Sequence, residues 1–516
     1  MMTWKKLVIL FAAIAAVLIA AACGPSIDPG IVPIPNEGDT SLPTFIGATA
    51  HRQPLASPGV PQNPSLAPNP YNNVHADTWM SDACETDGPL GVNPEVLSTT
   101  LITARRSPKS TTFLCGSISF DGQGRLMMSC AGSTEAGIVL ADPVSLKVIS
   151  HYDLPLNSSV AASTSSAYAY LDNLNQMVVA TAENKIQVGK QNGTGSGTIL
   201  SPGPVYDVNA FIPYGDNMNG VMPDFQGRIW FAIRAASTVG VVDTSVGPPS
   251  VNVLALGDGG EIKNSFAVDG VDAYVVTSKA MYRLTADLDG VPKVVWSATY
   301  QNIGTIKPGQ YSAGSGTTPT VLGGGAYVAI ADNADQTHVV VYRTASELAP
   351  SQQRTVCEVP VFKSGAGAVE DSLIGSGMSM IVENNYGYTM DFNTMKSTPS
   401  TPGMARVDIN PDGNGCTLVW ETDKVTAPNV APKMSTGTGL IYTLTRQYDT
   451  NPKYEAPGLG VWYWTAIDFR TGAVVWERQA GTGNGYDGWY AGLAIGPTGT
   501  AYIGQYGGLI VIRDTK

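Results

Sequence analysis

Along this chain the apolar positions alternate in short runs, and the runs return in one phrase: an apolar stretch, an Asp/Gly turn, then an alternating apolar strand. The phrase reads ISFDGQGRLMMSC (118–130), AYLDNLNQMVVAT (169–181), VMPDFQGRIWFAI (221–233) and FAVDGVDAYVVTS (266–278). It continues as PTVLGGGAYVAIA (319–331), KMSTGTGLIYTLT (433–445) and GLAIGPTGTAYIG (492–504), with a degenerate copy, LIGSGMSMIVEN, at 373–384. Two further strands follow most copies, the last often carrying Trp, as in KVVWSATY (293–300), CTLVWETD (416–423) and AVVWERQAG (473–481). Two period-2 strands around a tight turn mark a β-hairpin, so each unit predicts a four-stranded antiparallel meander.

Units recur roughly every 45–60 residues, the spacing of β-propeller blades. They fall at 115–155, 167–205, 219–257, 264–300, 316–362, 370–423, 429–481 and 489–514. The expected fold is therefore all-β, a single β-propeller of eight four-stranded blades, or seven if the weakly patterned second unit is discounted. The eighth unit stops after three strands. EVLSTTLITA (95–104) would supply the missing outer strand and close the ring by pairing its two ends.

Composition agrees with this and adds an address. Charged residues are only 14%, while Gly (57) and Pro (35) are plentiful, which suits short strands and tight turns better than helices with Lys/Glu faces. Residues 1–22 carry two lysines and then the apolar run LVILFAAIAAVLIAAA, an export signal. The following Cys23 resembles the lipidated cysteine of a bacterial lipobox, although Ala20 stands where Leu is usual; ordinary secretion and an uncleaved anchor are the alternatives. Residues 23–70, rich in Pro, Ser, Gly and Asn, read as a tether. A pre-propeller segment (71–94) and the propeller (95–516) complete the chain. The formal charge of −12 without a basic block argues against nucleic acid as a partner.

Cys115 and Cys130 lie five residues either side of the DGQG turn, which predicts a cross-strand disulfide in an oxidising compartment. Cys84, Cys357 and Cys416 leave at least one cysteine unpaired within the chain. No Cys/His spacing points to zinc.

The phrase Asp-x-x-Thr-Gly-x-x-x-Trp at 468–476 resembles the repeat of the quinoprotein-like (PQQ-repeat) propellers, a group that includes pyrroloquinoline quinone dehydrogenases and an outer-membrane assembly lipoprotein. MIVENNYGYT (380–389), PGMARVDINPDGNGC (402–416) and WTAIDFRTGAVVW (464–476) are similar to exported bacterial propeller proteins that bring no known activity. The resemblance implies the fold but not the quinone. The dehydrogenases brace that cofactor with adjacent cysteines, and no two cysteines here are neighbours, so pyrroloquinoline quinone is not expected.

In a propeller, the loops leading into each first strand and those joining second to third strands share one face around the channel. Blade 6 concentrates candidates there: Glu370, Asp371, Glu383, Asn384 and Asn385, with Lys433 on the neighbouring innermost strand and Arg446 beyond it. Asn264, Asn429 and Asp487 lead into other blades. Acids and amides at one mouth suit an oxygen-liganded Ca²⁺, although Asn and Asp favour turns wherever loops occur. The segment NNVHADTWMSDACETDG (72–88) could lie over that mouth as a lid. His75 and Asp77 would then act as metal ligands, with Glu370 and Glu383, or as an acid/base pair, with Lys433 a further catalytic candidate. Two functions follow. One is a membrane-tethered binding or scaffold module for a protein, glycan or small molecule, favoured by long Tyr- and Trp-bearing loops at 385–403 and 446–464. The other is a metal-assisted hydrolase, lyase or oxidoreductase at the channel mouth.

Overall fold

The computed structural model describes residues 31–516 apart from 57, 102–112, 133–134, 156–167, 392–393, 395, 452 and 454–459; the expected export signal and lipidation at Cys23 lie outside the described residues. Eight meanders form the ring, at 113–154, 170–207, 218–255, 267–299, 320–360, 374–422, 433–482 and 491–513. The weakly patterned second unit is a full four-stranded blade. In the last blade Glu95–Thr99 pairs antiparallel with Gly508–Arg513, from Glu95 opposite Arg513 to Thr99 opposite Leu509, so the outer strand comes from the start of the ring.

Burial explains the sequence pattern. Inner and middle strands such as Ile229–Ile233 are buried on both faces because each blade is sandwiched between two others, whereas outer strands such as Ser250–Ala255 are half-buried to exposed along their length. Recurring side chains tie one blade to the next. Asp121 caps its own turn, accepting the Gln123 and Arg125 amides at 2.9 and 3.0 Å. The Arg125 guanidinium bonds Asp121 and then crosses to Gln191 and Thr198 of blade 2, both at 2.6 Å. Asp224 and Arg228 repeat the device from blade 3 to the Asp287 carbonyl of blade 4. The outer-strand tryptophans do the same: Trp296 donates to Thr344 O and Trp420 to Phe469 O, each at 3.0 Å in the following blade. Two disulfides add covalent ties. Cys115–Cys130 joins two strands of blade 1 as expected, and Cys357–Cys416 staples the outer strands of blades 5 and 6, leaving Cys84 as a buried thiol.

Two N-terminal expectations are corrected. From residue 31 onward the stretch read as a tether is laid on the propeller: Phe45–Gly47 pairs with Val474–Thr482 as an extra outer strand of blade 7, and Ile34 and Leu66 are buried. Unpaired strand edges attract any extended segment with free amides, and Pro-rich chain is already extended. The pre-propeller segment is not a lid over the lead-in face. It enters the channel from the opposite face, where hairpins join first to second strands, and circles the axis. Its carbonyls accept from the innermost strands in turn: Asn72 O from Leu171, Thr78 O from Val268, Trp79 O from Val321, Ser81 O from Gly375 and Asp82 O from Met434, at 2.7 to 3.0 Å. Asn63 donates to Pro223 O of blade 3, and Val74 lies against Gly492 of blade 8. The plug leaves a cleft of about 470 Å³ against the hairpins of blades 5 and 6.

Candidate functional site

The plug carries two of the expected residues into the channel. His75 Nδ1 lies 3.0 Å from Asp82 Oδ2, and its Nε2 lies 3.3 Å from Thr318 Oγ1 and 3.4 Å from Ser372 Oγ. The second partner of Asp82 is Lys433, and neither side chain has any solvent exposure. Burial alone would push the Asp82 carboxyl up; Lys433 and His75 together outweigh it and hold the carboxyl below its ordinary range. A hydroxyl, an imidazole and a carboxylate stand in series, which is also the order of a nucleophilic relay. Here, however, two hydroxyls share one ring nitrogen, Ser372 Oγ already accepts the Thr318 amide at 3.1 Å, and Asp82 is neutralised by Lys433. The network clamps the plug to blades 5, 6 and 7.

Asp77 is not the partner of His75. Its carboxylate accepts the Trp79 amide at 2.9 Å and the Ser81 hydroxyl, closing the plug's own turn, and burial raises it to about 7. Lys433 likewise serves Asp82 rather than the blade 6 acids.

Above the plug, blade 6 does bring its residues together. Asn385 is the keystone: its Oδ1 accepts the Glu370 and Asp371 amides at 2.7 and 3.3 Å, and its Nδ2 donates to Asp371 Oδ2 at 3.0 Å and Glu383 Oε1 at 3.3 Å. Gly309, at φ +96°, is needed beside it, because a Cβ there would stand 2.0 Å from Asn385 O. Asp371 and Glu383 are hydrogen-bonded to each other. Burial drives Asp371 up to about 6 in spite of hydrogen bonds from Glu383 and Asn385, and burial followed by the Asp371 charge raises Glu383 well above the carboxylate range. The two carboxyls titrate as a pair, both pushed up by burial. Burial also raises Glu370 well above the carboxylate range, offset only in part by the Lys263 charge and the Tyr311 backbone amide. Glu370 Oε2 and Glu383 Oε2 are both buried with no hydrogen-bond partner in the protein.

Aromatic rings from separate blades roof this cluster. Tyr311 from the blade 5 lead-in loop meets Trp489 and Tyr490 of blade 8 edge-to-face, at 5.9 and 5.5 Å, and Tyr388 of blade 6 meets Tyr490 at 5.5 Å. The Trp489 indole donates to Tyr311 O–H at 2.6 Å. Tyr168, Lys263, Tyr311 and Tyr490 near Glu370 are half-buried, as is Trp489 beyond them, and Glu370 keeps 9% of its surface.

Two expected ligands lie elsewhere. Asn384 turns into the chain around it, accepting the Ala368 and Tyr386 amides and donating to Ala366 O. Arg446 donates to Ser397 Oγ at 2.6 Å, and Ser397 in turn donates to Asp487 at 2.6 Å, so the guanidinium serves a second polar group with Tyr388 and Asn429. The calcium expectation gains no support. Among the described residues no three His, Cys, Asp or Glu side chains converge on a metal position.

With this geometry in view the chain can be set beside known proteins. No protein-family model matches it, and no curated protein sequence matches it. Among solved structures, Sqt1 from Chaetomium thermophilum is 10% identical with a TM-score of 0.50, over 79% of this chain and 96% of that one. Virginiamycin B lyase from Staphylococcus aureus is 12% identical with a TM-score of 0.40, over 68% of this chain and 95% of that one. The likeness is one of fold. At such identities it carries over no activity, ligand or residue role.

The sequence missed Tyr168, Lys263, Tyr311 and Tyr490 as parts of the mouth. Tyr168, Lys263 and Tyr490 each stand a few residues ahead of an innermost strand, a positional signal that a search for acids and amides passes over. Tyr311 gives no such signal, because it sits midway in a long lead-in connection outside the repeat.

Proposed function

We propose that this protein is an exported, envelope-anchored binding module whose ligand site is the lead-in mouth of its channel. The observation that carries this is the convergence of buried carboxyls, two of them with unpartnered oxygens, beneath aromatic side chains from several blades. Concave sites with a few converging polar groups and displaced pKa values are the ordinary form of a ligand pocket. Asp371 and Glu383 keep only 3% and 2% of their surface, too little for a solvent-exchanging acid/base pair, which favours binding over turnover. A compound that raises the melting temperature of the mature domain should lose at least about tenfold in affinity in both Glu370→Gln and Tyr490→Leu, the cost of one charged hydrogen bond or one aromatic contact. Hits indifferent to both replacements would place the site elsewhere, the hairpin-face cleft first.

The export signal and the two disulfides support an oxidising compartment. Lipid attachment at Cys23 is tested directly: Cys23→Ser should end palmitate labelling and move the protein from the membrane to the soluble fraction. Continued labelling would count against the anchor.

A further inference from the structure

We propose that the lead-in mouth takes a small organic ammonium ion, with Glu370 as its counter-charge and the rings of Tyr168, Tyr311 and Tyr490 around it; this rests on the site proposed above. Charge is the first reason. Asp82 is committed to Lys433, and Arg234 near the rim stands 3.5 Å from Glu261. Glu370 then interacts with Lys263, whose ammonium makes no hydrogen bond or ion pair with a described residue, and the Asp371–Glu383 pair adds further acid behind it. The mouth holds more acid than base.

The unpartnered atoms are the second reason. Glu370 Oε2 and Glu383 Oε2 lack donors, and so does the hydroxyl of Ser312, which is 1% exposed and next in the chain to Tyr311. Acceptors left over in a buried site call for a ligand that brings N–H groups or a positive charge. Glu370 is held in place for this: its backbone N–H is fixed by Asn385, and Gly316 leaves room for Oε2, since a Cβ there would approach it to 2.6 Å.

The rings are the third. The Tyr311 backbone amide bonds Glu370, the Tyr490 ring meets the Tyr311 ring at 5.5 Å, and the Tyr168 hydroxyl reaches the same place through Asn264 and Gly316. The Lys263 ammonium already stands 5.6 Å over the Tyr311 ring, which shows that this face accepts a cation. A pyranose is the poorer fit. It needs a flat ring face, and the rings of the roof meet each other at 85–89°.

The test is calorimetric titration of the full mature chain with tetramethylammonium and propylammonium chloride, against tert-butanol as neutral isostere, sodium propionate as anion and methyl glucoside as pyranose. At least one cation should bind saturably while the other three do not. Glu370→Gln should weaken that binding by at least about tenfold. Lys263→Met, which removes the competing charge, should tighten it, an opposite sign that a misfolded variant cannot mimic. If neither cation binds, or tert-butanol, propionate or the glucoside binds as well, the ammonium class is overturned; the mouth survives as a site where Glu370→Gln still abolishes the binding seen. Cation binding that neither replacement alters overturns the site itself.

Discussion

Replacing Lys433 by methionine should remove about 3–5 kcal/mol of unfolding free energy, read as a lower denaturant midpoint at pH 8, because it strands a buried charge. The Lys433 and Asp82 side chains are both without solvent exposure, and the remaining partner of Asp82 is His75. The sign of the pH dependence follows from the direction of the Asp82 shift. Its folded-state pKa is depressed, so the stability it contributes is present above the ordinary carboxylate range and is lost as pH falls through the lower, folded value. Without Lys433, burial dominates and Asp82 takes up a proton at higher pH. The deficit of the variant should therefore shrink from pH 8 towards pH 4. The double replacement Asp82→Asn with Lys433→Met should recover much of the loss, since a buried pair removed together costs little. A deficit independent of pH, or a double variant as unstable as the single, would mean that the pair does not hold the plug.

What the sequence disclosed and what it hid follow from the same geometry. Hairpins such as ISFDGQGRLMMSC and VMPDFQGRIWFAI repeat because every blade solves one packing problem: two buried faces and a turn at the hairpin end. Period and turn chemistry therefore located the blades, and Glu95–Thr99 was found as the strand an incomplete last blade needed. The plug was illegible for the opposite reason. Asn72, Thr78, Trp79, Ser81 and Asp82 each meet a different blade as the chain circles the axis, so no period of 2 or 3.6 arises. Left-handed backbone at Ala76, Met80 and Asp82, φ 73°, 56° and 53°, turns the chain at each step. At the mouth, loop position identified Glu370, Asp371, Glu383 and Asn385 because they belong to one blade. Arg446 and Lys433 went astray because their partners, Ser397 and Asp82, come from distant points of the chain.

The larger effect is expected from the plug as a whole. A chain beginning at residue 93 keeps the four strands of every blade, including Glu95–Thr99, and loses the segment that fills the channel together with the extra outer strand Phe45–Gly47. Leu66, Tyr71, Val74, Trp79 and Met80 are at most 7% exposed in the folded protein. At roughly 1.5–3 kcal/mol for each large apolar side chain, their burial is worth on the order of 10 kcal/mol, comparable to the whole stability of a typical domain. Deletion also bares the inner edges of the first strands and leaves Lys433 in the channel without Asp82. The shortened chain should lose its near-ultraviolet circular dichroism and bind a hydrophobic dye, while far-ultraviolet β signal persists, as expected of a ring that has collapsed without fixed packing. A synthetic peptide of residues 58–92 added in trans should restore the native spectrum with saturation, since anything that binds only the folded ring stabilises it by mass action. A shortened chain that melts like the full one, unaffected by the peptide, would show that the ring carries its own core and that the plug merely occupies a channel already formed.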